Sequence, residues 1–239
     1  MSNPGSENQW EVLPHGAVER LEENLWRVEG TIKGMGLKRV MTLAKLADGQ
    51  LVIHNGIALD QESMNEIENW GTPAILIVPN GFHRLDAAAY LERYPALRVF
   101  CPKGARSRVE EVVRVKGDYE DYDAEGPVTL DHLAGVAEAE GVMKVLSNSG
   151  TTLVFNDAIF NMAHGEGVVG FIFRHVTQST GGPRVSRLTR WLMVKDAAAL
   201  RTDLERLANT ENLKRIIVSH HETIVDEPAD ILRQVASRL

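Results

Sequence analysis

Four places in this 239-residue chain share a pattern that could do chemistry. At each, an apolar run ends and imidazole, carboxylate or amide groups follow at once. They are His54-Asn55 after Leu51-Val52-Ile53, Asn80 and His83 with Asp86 after Ile75-Leu76-Ile77-Val78-Pro79, Asp157 after Leu153-Val154-Phe155, and His220-His221 after Ile216-Ile217-Val218. Strands of one sheet present their ends along a common edge, so histidines and aspartates from several ends can converge on one metal ion. A single histidine at such an end is ordinarily capped or solvated. Recurrence at four ends is what singles these out. His15, His132, His164 and His175 lack such company and read as surface or loop residues.

The element that must position the central group runs from Ala74 to Pro102. Its opening apolar run reads as a strand buried on both faces. A polar turn, Asn80 to Arg84, follows, then a helix over about 85–93, which Tyr94-Pro95 stops because proline disfavours the helical region for its predecessor. Leu97 to Cys101 is a second strand. The polar turn thus lies at the C-terminal end of a strand, where α/β proteins place their chemistry.

Before this unit, Trp10–Val12 reads as a first short strand, Leu25–Gly30 as a half-buried one, and Thr31–Lys38 as a flexible basic loop. Arg39–Leu46 and Gln50–His54 flank an Asp48-Gly49 hairpin signal. Asp60 caps a helix reaching Trp70, with Met64, Ile67 and Trp70 on one face. After the unit, Lys103–Val113 reads as a helix and Gly117–Gly126 as an acidic, turn-rich connection. Val128–Leu130, Val142–Leu146 and Thr151–Phe155 make a second antiparallel sheet. Ala158–Arg190 is the least regular stretch. A helix over Lys195–Leu207, a buried strand over Leu213–Val218 and a closing helix over Asp226–Leu239 complete the chain.

Composition sets the outer limits. A 44% hydrophobic, 25% charged chain is an ordinary globular protein. A net charge of -7 argues against sequence-independent nucleic-acid binding, which rests on Lys and Arg neutralising phosphates. Cys101 is the single cysteine, so there is neither an intrachain disulfide nor a thiolate zinc cluster, and its place in a buried strand makes it a core thiol. No apolar run is long enough to span a bilayer, and the first ten residues show no export signal. The expectation is a cytoplasmic protein with a disordered tail over 1–9 and a single domain over 10–239.

The order of elements and the strand ends resemble the metallo-β-lactamase superfamily, more particularly a divergent branch of it, over about residues 10–235. That resemblance implies a four-layer αββα sandwich. The superfamily's Thr-His-x-His-x-Asp-His turn falls on the segment around His83-Arg84-Leu85-Asp86: its second histidine on His83, its last on Asp86, its first on Gly81 and its aspartate on Leu85. The Asp-x-Gly strand end matches His54-Asn55-Gly56, and the Gly-His motif falls on Gly135-Val136. The Gly-Asp strand end matches Asn156-Asp157. The final Pro-Gly-His matches Val218-Ser219-His220, or His221 with a one-residue shift.

The resemblance therefore implies an eroded metal site without conventional two-zinc chemistry. The remaining candidate ligands are His83, Asp86, Asp157 and His220, with His54, Asn55, Asn80 and His221 around the pocket. Such a mixed O/N set suits a single Zn, Fe or Mn ion, or none. Two functions follow. The first is a protein that binds a small-molecule ligand or a protein partner. The second is a single-metal hydrolase acting on an ester, lactone, thioester or phosphodiester.

Two further features stand apart. Val168–Phe173 is apolar and offers an interface strand for a homo-oligomer, a hydrophobic lid, or a plain core strand. Arg184, Arg187 and Arg190 recur every three residues, as a solvated helix face, as partners for acids of this chain, or as a surface for an anionic substrate.

Overall fold

A computed structural model describes residues 10–123, 126–164 and 171–239. The tail expected over 1–9 and the Val168-Val169-Gly170 part of the apolar segment lie outside the described residues. The first sheet has seven strands in chain order: β1 (Glu19–Glu22), β2 (Leu25–Ile32), β3 (Met35–Lys45), β4 (Gln50–His54), β5 (Thr72–Ile77), β6 (Arg98–Cys101) and β7 (Gly117–Asp118). β1 to β4 pair antiparallel, and β4 to β7 pair parallel. The second sheet contains β8 (Val128–His132), β9 (Gly141–Ser147) and β10 (Gly150–Val154). A small ribbon, β11 (Phe160–Met162) and β12 (Gly182–Arg184), lies between these and β13 (Leu213–Ile217) in the chain. β13 joins the second sheet parallel to β10, giving the order β13-β10-β9-β8.

The continuous apolar runs have a simple cause. Successive side chains of a strand point to opposite faces, and here both faces are covered. Leu51, Ile53 and Leu76 face helices α1 (Gln61–Trp70), α2 (Ala87–Arg93) and α3 (Arg106–Val109), whose Met64, Ile67, Tyr90 and Val109 fill that core. Their neighbours Val52, Ile75 and Ile77 point the other way, against Val128, Met143, Val145 and Val154 of the second sheet. Leu153 and Ile216 face a third core, where α5 (Ala197–Ala208) and α6 (Pro228–Ser237) contribute Leu200, Leu204, Leu232 and Val235. A six-residue helix, α4 (Arg187–Leu192), precedes α5. Three cores between four layers make the αββα sandwich that the sequence suggested. Among the described residues no helix is long and apolar enough to cross a membrane.

Local chemistry sets the joints. Asp60 caps α1 by accepting from the Ser63 N–H at 2.8 Å. Gly49, at φ 84°, turns the β3–β4 hairpin in a conformation that favours glycine. Cys101 is buried in the first core, and burial pushes its thiol up to about 12.

Three expectations need correcting. Trp10–Val12 forms no strand; its indole instead donates to the Leu59 carbonyl at 2.8 Å and packs on Tyr90. Thr31–Lys38 is not a loop, because Thr31 pairs with Lys38 and Ile32 with Met35, leaving only Lys33-Gly34 to turn. Lys103–Val113 is not one helix: a 3-10 turn over Lys103–Ala105 leads into α3, a single turn that stops at Val109.

Helix α2, which follows the central polar turn, is anchored by Tyr90. Its hydroxyl donates to the Ile57 carbonyl at 2.9 Å, and Gly56 leaves room for its ring, since a Cβ there would lie 2.9 Å from it. Replacing Tyr90 with Phe strands a buried carbonyl and is expected to lower unfolding stability by about 1 kcal/mol, read as a shift in the urea midpoint with an unchanged slope.

Candidate metal centre

The C-terminal ends of β4, β5, β10 and β13 meet on one edge of the sandwich. Asp157, three residues beyond β10, is at the centre. Its Oδ1 lies 3.1 Å from His83 Nε2 and 3.0 Å from His220 Nε2. These three side chains bring one donor atom each within 4.8 Å of one another. Asp157 Oδ2 accepts from the Asn80 amide at 2.8 Å. Burial alone would raise the Asp157 carboxyl; the imidazoles of His83 and His220 outweigh it and hold the group well below its ordinary range.

Each imidazole is turned by a second hydrogen bond. His220 Nδ1 lies 2.8 Å from the Lys38 carbonyl, an oxygen that can only accept, so Nδ1 carries a proton. His83 Nδ1 lies 3.1 Å from Asn55 Oδ1. The Asn55 amide nitrogen donates to the Val40 carbonyl, so its oxygen faces His83, and that Nδ1 is also the donor. Both Nε2 atoms therefore aim at Asp157, either as second protonated nitrogens or as lone pairs.

The backbone serves this arrangement. Asn80 Oδ1 accepts from the N–H groups of Phe82 and His83, folding the polar turn so that His83 faces inward. Asn55 sits at φ 57°, a region asparagine tolerates better than most residues. Val40 N–H donates to the Ser219 carbonyl at 2.8 Å, tying the end of β13 to β3.

The other expected residues lie elsewhere. Asp86 forms an ion pair with the guanidinium of Arg39, both largely buried, and is not among the three converging groups. His54 is fully buried below the site with no partner for either ring nitrogen. Burial, helped by the charge of His83, pushes it down to about 3, so it is neutral. His221 sits at φ 69° and does not line the cleft that His220 enters. Its pKa is lowered by burial first, then by the charges of His220 and Lys38.

Three positions onto which the resemblance mapped superfamily ligands are Gly81, Val136 and Leu85. A Cβ on Gly81 would lie 2.7 Å from the Arg108 side chain. Val136 is 1% exposed and packs in the third core, away from the site. Leu85 is 57% exposed and lines the cleft.

Two residues escaped the sequence reading. Arg39 opens the apolar run Arg39–Leu46, where nothing local singles it out. Glu140 immediately precedes β9 and is fully buried. Its carboxylate accepts from three successive N–H groups, those of Asn156, Asp157 and Ala158, at 3.2, 3.0 and 2.7 Å. A lone charge directly before an apolar strand was the available signal.

Above the three converging groups is a cavity of about 430 Å³. Its walls are mainly apolar: Ile32, Met35 and Leu37 from the β2–β3 hairpin, Phe160 from β11, and Leu188 and Leu192 from α4. Phe160 stacks on His220 at 5.1 Å. Among the described residues no lysine or arginine lines it.

No protein-family model matches the sequence, and no curated protein is similar to it. Solved structures match in fold. The DIM-1 metallo-β-lactamase aligns with a TM-score of 0.64 at 11% identity, covering 95% of this chain and 99% of that one. The same enzyme exposed to ceftazidime gives 0.62 at 12%, with the same coverage. The FIM-1 metallo-β-lactamase from Pseudomonas aeruginosa, in its mono-zinc form, gives 0.62 at 13%, covering 96% and 98%. At these identities the likeness establishes the metallo-β-lactamase fold.

Burial, then the charge of Asp157, raises the Glu140 carboxyl from its ordinary 4.5 to about 8. Between those values the folded chain keeps a proton that the unfolded chain has lost. Its stabilising contribution is thus complete below about 4.5 and disappears as pH rises through 8. Unfolding free energy measured with chelator from pH 5 to 9 should fall for the native chain and fall less for Glu140→Gln. Parallel curves would refute the assignment.

Proposed function

We propose that this metallo-β-lactamase-fold chain is a single-metal hydrolase for an ester, lactone or thioester flanked by an apolar group. The observation that carries the reading is the pair of fixed imidazoles. With both Nδ1 atoms committed as donors, both Nε2 atoms converge on one carboxylate oxygen, and a cation among the three would replace the Nε2 protons as what holds them together. Two imidazoles oriented by backbone or amide oxygens, one carboxylate and an open face are a catalytic donor set for zinc or iron.

His83, Asp157 and His220 would hold the ion, which when bound supplies Lewis acidity and lowers the pKa of water. The remaining residues bind and orient. Asn80 fixes the Asp157 carboxylate, while Asn55 and the Lys38 carbonyl fix the rings. Phe160, Leu85 and the β2–β3 hairpin exclude water from the reacting group. A two-metal site does not fit, because Gly81, Leu85 and Val136 offer no donor and Asp86 is engaged by Arg39. A phosphodiester fits poorly, because among the described residues no lysine or arginine in the cavity would offset its charge.

The second reading is a binding protein that does no chemistry. Leu85 favours it: among the described residues the cleft has no carboxylate beyond Asp157 to take a proton.

Elemental analysis of untagged protein, dialysed against zinc, iron or manganese, should find about one ion per chain. His83→Ala, Asp157→Ala and His220→Ala should each lose it, and Asp86→Ala should keep it. Loaded protein should hydrolyse aliphatic thioesters or lactones, with activity removed by chelator. No ion under any condition would sink the reading and leave the binding protein. On the partly exposed wall of the cavity, Leu192→Asp should raise KM for apolar substrates about tenfold while leaving the metal content unchanged.

A further inference from the structure

A second cavity, of about 590 Å³, lies on the other side of the segment that walls the first, and the two share no lining residue. Arg184 of β12, Arg187 and Arg190 of α4 and Arg238 just beyond α6 all line it, and among the described residues no acidic one does. Other arginines of the chain pair with acids: Arg39 with Asp86, Arg215 with Glu22 and Arg27 with Glu19. These four do not. Arg184 donates to the Gly181 carbonyl at 2.7 Å, and its Nε is buried without a partner. Arg190 donates to the Arg238 carbonyl, which fastens α4 to the end of α6. The glycine turn makes room for this: a Cβ on Gly181, at φ 93°, would lie 3.1 Å from the Arg184 guanidinium.

Four like charges in one concavity repel, and in a chain of net charge -7 their concentration is not a by-product of a basic surface. We propose that this cleft binds an oligophosphate group, either as the free anion or as the tail of a larger molecule. Guanidinium forks match phosphate oxygens in bidentate geometry. Neutralising four of them in this volume takes three or four negative charges close together, which a di- or triphosphate carries in the least space. Val185 is the one large apolar side chain in the lining, so recognition rests on the phosphates rather than on an organic frame. The three-residue spacing of Arg184, Arg187 and Arg190 thus brings together charges that the sequence alone left among several readings.

Calorimetric titration of the full chain in chelator with tripolyphosphate, pyrophosphate, orthophosphate, citrate, adenosine triphosphate and adenosine tests this. Tripolyphosphate and pyrophosphate should saturate one site and weaken with ionic strength, orthophosphate and citrate should bind at least about tenfold more weakly, and adenosine should not bind. Adenosine triphosphate matching tripolyphosphate would assign the site to a phosphate tail; its failure to bind would assign it to the free anion. Arg187→Gln, at an exposed position, should weaken binding about tenfold with unchanged circular dichroism, and Arg184→Gln should do likewise. Arg201→Gln on α5 and His220→Ala should have no effect. Absent saturation, citrate binding as tightly as tripolyphosphate, or equal losses in Arg201→Gln or His220→Ala would overturn the proposal.

Discussion

Everything at this edge of the sandwich depends on one buried carboxyl group, that of Glu140. Glu140 gathers the N–H groups of Asn156, Asp157 and Ala158, so the chain leaving β10 bends with its amides inward and the Asp157 side chain outward. Buried N–H groups demand partners, and at a strand end the ladder no longer supplies them. Asn80 joins this cluster to the neighbouring sheet, since the same amide reaches Glu140 and Asp157 while its oxygen shapes the turn that carries His83. Two sheets are thereby registered to one another at the point where their histidines must meet.

A second constraint acts from the opposite side. The β2–β3 hairpin extends past the site, giving His220 its acceptor through the Lys38 carbonyl, supplying Arg39 to Asp86, and covering the cavity with Ile32, Met35 and Leu37. The pairing Thr31↔Lys38 makes that extension regular. A loose loop could not fix an imidazole tautomer, nor hold a guanidinium that is 5% exposed against a single carboxylate.

Much of this was legible in the sequence, for identifiable reasons. Buried-strand runs such as Ile75-Leu76-Ile77 and the caps at Asp60 and Gly49 follow from local rules, and they place the four polar strand ends on one edge. His83, Asp157 and His220 were visible because each lies within a few residues of such a run. The hairpin was misread because Gly34, Gly36 and two lysines look like a mobile loop, whereas strand pairing across the tip overrides that local signal. Asp86 falls among the candidate ligands because nothing in the local sequence reveals that Arg39, 47 residues away, engages it. Glu140 was missed for the same reason: its partners are backbone amides 16 to 18 residues downstream. Long-range charge pairing leaves little trace in local pattern.

The packing of Arg108 over Gly81 bears on how far this site stands from a two-metal one. A histidine introduced at position 81 would enter volume already filled by that arginine, whose guanidinium also lies over the Phe82 ring. A carboxylate at position 85 would find no second cation, and Asp86 would remain with Arg39. Each change alone loses packing or charge balance before any of them adds a ligand. In sequence space, reaching a second set of ligands from this chain means crossing a valley rather than taking a single step.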